Sequence, residues 1–420
     1  MSKLTMYLKI QQFLPRYLEL FQKTIKKFSL ELNVVTKKGK NKISNFAYYQ
    51  NFEKNYEFLV VDEHKQADFI FAFFVLSRKG QTFYLNLPFF SQFLDKNWIN
   101  IIGEFILDFI EENYHFETFY VQISNFDIKI NNFFQKFAIS FDDNSNTFKF
   151  NLVKRYEFID IHCHPFSEYF QDSKAQVDNW FKKNIGLIFV VGTSWEYLEE
   201  IKKIGNYSKK IYKIIGIHPT LVAENDNFSL LENHIDDKVL AIGEVGLDFY
   251  YENNPPKDVQ IKALLDQIQI AKSKKIPVML HIRDKSGENQ AMKLISEIVT
   301  KFSEINFIFH NFSTNYEIFQ KLVKKNNCFF SFSGVITFKK SIELRRIIKE
   351  TPLEKIFTET DVPYLSPEPN RQLWPNVSPQ IQWTYQTIAN LKNLTKIELS
   401  EIIYRNVRKI FKVKNAKTGS

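Results

Sequence analysis

A chain of 420 residues with 44% hydrophobic and 25% charged residues is long for one core, comfortable for two domains, and reads as soluble and globular. Two cysteines exclude a disulfide framework and fit a reducing cytoplasm, and no segment reaches the roughly 18–20 apolar residues that a membrane span needs. The net charge of +9 favours an anionic partner such as nucleic acid, although a lysine-rich solvated surface gives the same balance.

From the start, Met1 to Leu20 mixes Lys, Gln and Arg with apolar residues and lacks the apolar stretch and small-residue cleavage site of a signal peptide, so a cytoplasmic protein is expected. Residues 1–153 read as a smaller α+β domain, with 25 of the 43 Phe residues and a charge of +2 in the first 150 against +7 in the rest. The pattern predicts a helix over 6–30, strands over 58–61, 69–77 and 82–87, and a long helix near 97–112. A strand over 116–123, a short helix near 131–137 and a strand over 146–152 follow. The run Lys37-Lys38-Gly39-Lys40-Asn41-Lys42 is a candidate nucleic-acid contact or a solvated loop. Lys154-Arg155 carries no Pro- or Gly-rich linker, so the junction is direct.

From residue 154 onward one rhythm repeats: a short apolar strand, a loop with polar residues, an amphipathic helix. Strands are predicted over 157–161, 186–191, 212–216, 239–243, 276–280, 305–309, 328–332 and 355–358. Their near-continuous Ile, Val, Leu and Phe suit strands covered on both faces. The clearest helices span 258–274 and 289–302. Eight such units over 154–420 match an α/β (β/α)8 TIM barrel preceded by the smaller domain. A doubly wound open sheet competes, but it usually wants a Gly-rich loop after its first strand, where this chain has His162-Cys163-His164-Pro165.

Two histidines two apart on a strand point the same way, and Cys163 between them faces the other way. That pair alone is a weak signal, more often a half-buried core pair than one jaw of a metal site. Its partners change the balance. His218 follows the third strand, Glu244 and Asp248 the fourth, His281 and Arg283 the fifth, His310 the sixth, and Asp361 the eighth. A parallel barrel gathers all strand carboxyl ends on one face. Imidazoles and carboxylates buried together there need partners, and divalent ions satisfy them jointly. His64, His115 and His234 do not follow strands and read as surface or packing residues.

Seven strings in this order and spacing resemble the TatD-type metal-dependent deoxyribonucleases of the amidohydrolase superfamily, over residues 156–412. They are FIDIHCHP (158–165), GIHP (216–219), GEVGLDFY (243–250), PVMLHIRD (277–284), HNFS (310–313), SFSGVITF (331–338) and ETDVPYL (359–365). The resemblance implies that His162, His164 and Asp361 hold one divalent ion, that His281 and His310 hold a second, and that Glu244 bridges them. The ions would be Mg, Mn or Zn. It further implies that a metal-activated water attacks a phosphodiester, with Asp361 and Glu244 as catalytic residues and Asp361 as general base. The implied reaction is 3′-exonucleolytic cleavage of single-stranded or damaged DNA. Arg283 is the expected phosphate clamp, unless it pairs with Asp284. His218, Ser313, Arg371 and Asn376 are the other expected substrate contacts, and Asp248 and Tyr250 could orient a ligand or line the cleft.

The sequence departs from the family where an RGK-x-N-E-P-like segment is usual: Arg371 to Pro379 lacks the Lys and the Glu after Asn376. Asn311 and Thr314 also replace the usual residues after the sixth strand. Trp374 in that altered loop would stack on a base if exposed, or cover the barrel mouth if buried. Residues 116–152 faintly resemble the last β-α-β of a GNAT acetyltransferase, but 91–97 has no glycine for a pyrophosphate loop, which implies that cofactor binding is lost. Two other readings keep the barrel. In one the same metal site acts on RNA, an ester or an amide. In the other a silent barrel serves nucleic-acid binding or assembly, with no membrane role in either case.

Overall fold

The computed structural model describes residues 157–413, residue 286 apart, residues 128–151, and before these residue 81 and the strands and helical segments given below. The chain divides into two compact units, Met1–Val153 and Lys154–Ser420.

In the first unit a sheet takes up β1 (Tyr7–Lys9), β4 (Lys54–Asp62), β5 (Phe69–Lys79), β6 (Thr82–Phe90), β7 (Thr118–Ile123), β8 (Ser140–Asp142) and β9 (Thr147–Asn151) in the order β1-β4-β5-β6-β7-β9-β8. Every pair is antiparallel except β6 with β7. That parallel pair needs a crossover, and the sequence between the two strands contains the expected helix, of which Ile99, Asn100, Gly103, Glu104, Ile106, Leu107 and Ile110 are described as helical. A helix over Ile128–Phe137 turns Ile130, Phe133 and Phe134 inward, where Phe134 meets Phe148 and Phe150. Two expectations fail here. Tyr7–Lys9 is an edge strand on β4, not the start of a helix, and the remainder of 10–30 lies outside the described residues. A separate hairpin pairs β2 (Asn33–Thr36) with β3 (Gly39–Ser44), so Lys40 and Lys42 sit in a strand. Its polar residues carry no apolar alternation, and the sequence hid it.

The second unit is a (β/α)8 barrel. Its strands are β10 (Phe158–Cys163), β11 (Ile185–Val191), β12 (Ile211–Ile215), β13 (Val239–Asp248), β14 (Val278–Arg283), β15 (Phe307–Phe309), β16 (Cys328–Phe332) and β17 (Ile356–Thr358), neighbours in chain order and parallel throughout. The ring closes just beyond β17. Val362 bridges Cys163 in parallel, Asp361 N donates to His162 O at 3.0 Å, and His164 N donates to Val362 O at 2.8 Å. The expected strands all form, but β10, β13 and β14 run two to five residues past their predicted ends. Polar His162, Glu244 and His281 therefore belong to strands rather than to the loops after them.

Helices cover the outside. Helix Lys257–Lys274 buries Ala263, Leu264, Ile268 and Ala271, the face its apolar spacing predicts. Its buried Gln260 and Gln267 serve another purpose described below. Helix Lys396–Phe411 starts at a capping box of Thr395 and Glu398 and ends with Phe411 against Phe189 and Phe357. Tyr385, fully buried on helix Ile381–Lys392, accepts a hydrogen bond from Ile159 N at 3.1 Å and so fixes the start of β10.

Candidate metal centre

Strand alternation places Asp160, His162 and His164 on one side of β10 and Ile159, Ile161 and Cys163 on the other. Cys163 points outward, its thiol 3.4 Å from Phe189 O, and takes no part in the centre. On β13 the pairing with β14 slips between Ile242 and Val245, a bulge that carries Glu244. Two residues on, Gly246 has φ +154°, and any Cβ there would stand 1.9 Å from His281 O. Glycine at 246 thus lets β13 and β14 approach closely enough to bring Glu244 to His281. Asp361 adopts the left-handed region (φ 58°), which Asp tolerates better than most residues, and its turn folds the carboxylate back toward β10.

The result is a convergence of seven side chains. His162 Nε2 lies 3.1 Å from His164 Nε2, 3.4 Å from Glu244 Oε2 and 3.6 Å from Asp361 Oδ1. Asp361 Oδ1 is also 3.5 Å from His164 Nε2. The other oxygen of Glu244, Oε1, faces His281 Nδ1 at 2.7 Å, His310 Nε2 at 3.4 Å and His218 Nε2 at 3.7 Å. Three sets of ligand atoms lie close enough to share an ion: His162 with His310 and Asp361, His162 with His164 and Glu244, and His218 with Glu244 and His281.

The far side of each ring decides what the near side offers. His164 Nδ1 faces Val191 O at 2.9 Å, and His310 Nδ1 stands 2.8 Å from Glu359 Oε1. Both partners only accept, so both rings carry a proton on Nδ1 and, when neutral, present a lone pair at Nε2. His162 Nδ1 meets the weak acceptor Met279 Sδ at 3.0 Å. Lone pairs thus confront lone pairs and carboxylates at about van der Waals distance, an arrangement that divalent cations satisfy and protein donors do not.

The charges say the same. Burial opposes the imidazolium of His310, but Glu359 and Glu244 outweigh it and push the ring up to about 10. Burial also opposes the charge of Glu244, yet His310 and His162 hold its carboxyl well below the usual range. His162 is pushed down by burial and by His310, and His218 falls to about 3 through burial and His281. The cluster demands positive charge at its centre, which a bound cation supplies. The donor set fits divalent metal.

Around this centre the expected residues divide. Arg283 is exposed, its guanidinium 4.1 Å above the Tyr250 ring and 5.0 Å from that of Tyr251. It does not pair with Asp284, whose carboxylate instead accepts from Ala291 N and Met292 N at the start of helix Gln290–Lys301. Asp248 orients His281, accepting at 3.1 Å from its Nε2. His218 stands against Glu244 itself, with Nδ1 held 2.7 Å from Thr220 Oγ1. Ser313 lies exposed three residues beyond His310. Arg371 is exposed, 4.0 Å over the Phe338 ring. Asn376 corrects an expectation. Its side chain is fully buried, donating to Tyr364 O at 2.7 Å and accepting from Val377 N at 2.9 Å, so it shapes a loop and cannot touch substrate. Trp374 is 63% exposed, which removes the idea of a buried cover over the mouth.

Sequence reasoning missed the residues that hold the ligands in place. Glu359, adjacent to a predicted loop, is fully buried; it fixes His310 and accepts from Asn311 N at 2.8 Å. Asp160, also fully buried, accepts from His162 N, Thr360 N, Thr360 Oγ1 and Ser378 Oγ at 2.6–3.3 Å, sewing the segment that carries Asp361 to β10. Gln267 grips both backbone groups of Ile217 beside His218, and Gln260 does the same at Asp248. The available signal was two glutamines on the apolar face of a helix and a carboxylate inside an apolar strand.

A family model described as TatD related DNase matches residues 159–412. YabD, an uncharacterized metal-dependent hydrolase of Bacillus subtilis (strain 168), is 29% identical over 263 residues, covering 60% of this chain and 98% of that protein. MG009, an uncharacterized metal-dependent hydrolase of Mycoplasma genitalium, is 31% identical over 271 residues, covering 61% and 99%. Among solved structures, the TatD homolog YJJV of Escherichia coli K12 has a TM-score of 0.55 at 24% identity and covers 62% of this chain and 100% of its own. A TatD family hydrolase of Entamoeba histolytica has a TM-score of 0.53 at 19% identity, covering 62% and 99%. Both share the barrel fold.

Proposed function

The chain belongs to the TatD-related DNase family of metal-dependent hydrolases, and from that premise we propose that it hydrolyses DNA phosphodiesters, removing nucleotides from the 3′ end of a single strand. Two divalent cations would be held, one by His162, His164 and Asp361 and one by His281 and His310, with Glu244 between them. The observation that carries this reading is the orientation of Glu244, whose Oε2 faces His162 while Oε1 faces His281 and His310. A carboxylate so placed suits a bridge.

When bound, the cations supply Lewis-acid charge to a phosphoryl oxygen and bring the pKa of a coordinated water toward neutrality. The chain's own residues do the rest. Asp361 is 15% exposed where His162 is fully buried and Glu244 is 5% exposed, so it is the carboxylate that water can reach and the group suited to take a proton. Arg283, raised on Tyr250, presents a planar fork that matches a phosphate on a unit carrying a charge of +7. His218 and Asp248 keep His281 turned toward Glu244.

End-labelled single-stranded DNA, duplex DNA and RNA, each incubated with Mg²⁺, Mn²⁺, Zn²⁺ or EDTA, test this. Stepwise loss of 3′ nucleotides from single-stranded DNA, abolished by EDTA, is the expected result. Cleavage of RNA alone, or turnover only of small esters or amides, would replace the DNA reading.

A further inference from the structure

Resting on the nucleic-acid reading above, we propose that Trp374, with Tyr364 and Tyr169, forms a platform on which a base of the single-stranded substrate stacks beside the metal centre. Among the described residues the strongly exposed aromatic side chains are Tyr207, Tyr250, Tyr251, Tyr364 and Trp374. Tyr207 is tied to Asp178 on the barrel's outer layer. The other four all follow β13 or β17, at the carboxyl face. Exposed apolar surface gathered at the rim of a charged site is a binding feature more than a chance scatter.

The two aromatic groups differ in what they have left to offer. Tyr250 and Tyr251 lie under the Arg283 guanidinium. Trp374 leans only its edge of the loop on Tyr364, with ring centroids 5.7 Å apart and planes at 49°, and keeps 63% of its surface exposed. Tyr364 in turn shares a turn with the ligand Asp361, donating from its backbone N to Asp361 O at 2.8 Å. Its phenol meets that of Tyr169, which follows β10, at 2.9 Å. The platform therefore grows from the same segment as a metal ligand.

Its backbone is also fixed before any ligand arrives. Buried Asn376 donates to Tyr364 O and its own N donates to Pro363 O at 2.8 Å, while Ser366 Oγ donates to Leu373 O at 2.6 Å. A pre-ordered aromatic face loses little freedom on binding, and stacking accepts any base because every base has a π-face. In the closed ring the β17–β10 side stands opposite β13–β14. A strand crossing the mouth would thus meet Arg283 on one side of the ligands and Trp374 on the other.

The test uses the metal-loaded full-length chain and two labelled strands of equal length: a phosphorothioate oligothymidylate, resistant to cleavage, and its abasic counterpart. The wild-type chain should bind the base-bearing strand at least about fivefold more tightly by anisotropy, the low end of what stacking gives. Trp374→Leu should erase that preference, and Trp374→Phe should recover most of it. A wild-type chain without preference, or a Trp374→Leu variant that keeps it, overturns the platform. Because binding is read without cleavage, the two readings fail separately. A base preference with no hydrolysis of unmodified DNA sinks only the phosphodiesterase, and hydrolysis with no base preference sinks only the platform.

Discussion

Each histidine of the candidate centre can serve as a ligand only as well as the group behind it allows. His310 depends on Glu359, whose carboxylate is fully buried, stands 2.8 Å from Nδ1 and holds the Nε2 lone pair toward Glu244. Replacing Glu359 by Gln keeps the shape and removes the charge. Partners of this kind typically contribute 10- to 100-fold in metal affinity, so Glu359→Gln should weaken metal binding by about that factor in a calorimetric titration. Unchanged affinity would mean that the ring is fixed by packing alone, for instance by its stacking on His162 at 3.7 Å. The convergent residues were legible in the sequence, because His, Glu and Asp follow six of the eight apolar strands. Glu359 and Asp160 were not, because a buried carboxylate that only positions a neighbour has the same sequence signature as one at a strand end by accident. Asn376 misled for a related reason: its chemistry suits a substrate, but its amide is used up by backbone groups of its own loop.

At the scale of elements, the centre depends on how closely β13 and β14 approach and on how the end of β17 is tied to β10. Gly246→Ala would force a methyl group to within 1.9 Å of His281 O from a positive φ. Overpacking of this kind costs roughly 1–3 kcal/mol, and here the strain falls on a candidate metal ligand. The variant should melt at lower temperature and also bind metal more weakly; a loss of stability with full metal affinity would show that the strands part elsewhere. Asp160 ties the second junction. Burial pushes its carboxyl from 3.8 up to about 7, with the hydrogen bonds from Ser378 and Thr360 pulling the other way. Between about pH 4 and pH 7 the unfolded chain has released this proton while the folded barrel still holds it, so raising pH across that window costs stability. In EDTA, the melting temperature of the wild-type chain should therefore fall from pH 4 to pH 7 relative to that of Asp160→Asn. Parallel curves would show that Asp160 is ionised in the fold throughout. The barrel strands were readable because strands covered on both faces are continuously apolar. Their polar extensions at β13 and β14 were not, since a run such as Glu244 to Asp248 looks like a loop until a bulge and a glycine make it a strand.

Across the whole molecule the barrel carries the family match, the convergent histidines and carboxylates and +7 of the net charge of +9, while Met1–Val153 contributes a mixed sheet of its own. The sequence of that first unit showed an α+β composition and most of its strands, but its short, polar and edge elements lack the periodicity that made the barrel plain. No helix among the described residues is long and apolar enough to cross a membrane. Under the proposed function the convergent side chains make a metal-dependent phosphodiesterase in which Asp361 takes the proton from water. Single-turnover cleavage of 3′-labelled single-stranded DNA by the wild-type chain and by Asp361→Asn, each with Mn²⁺ and with EDTA, reads that step. Cleavage by the wild-type chain is expected only with metal, with a rate lower by about a thousandfold in Asp361→Asn, as for loss of a general base. Cleavage that persists in EDTA, or an Asp361→Asn rate within a few-fold of wild type, would overturn the role of Asp361 and of the metal.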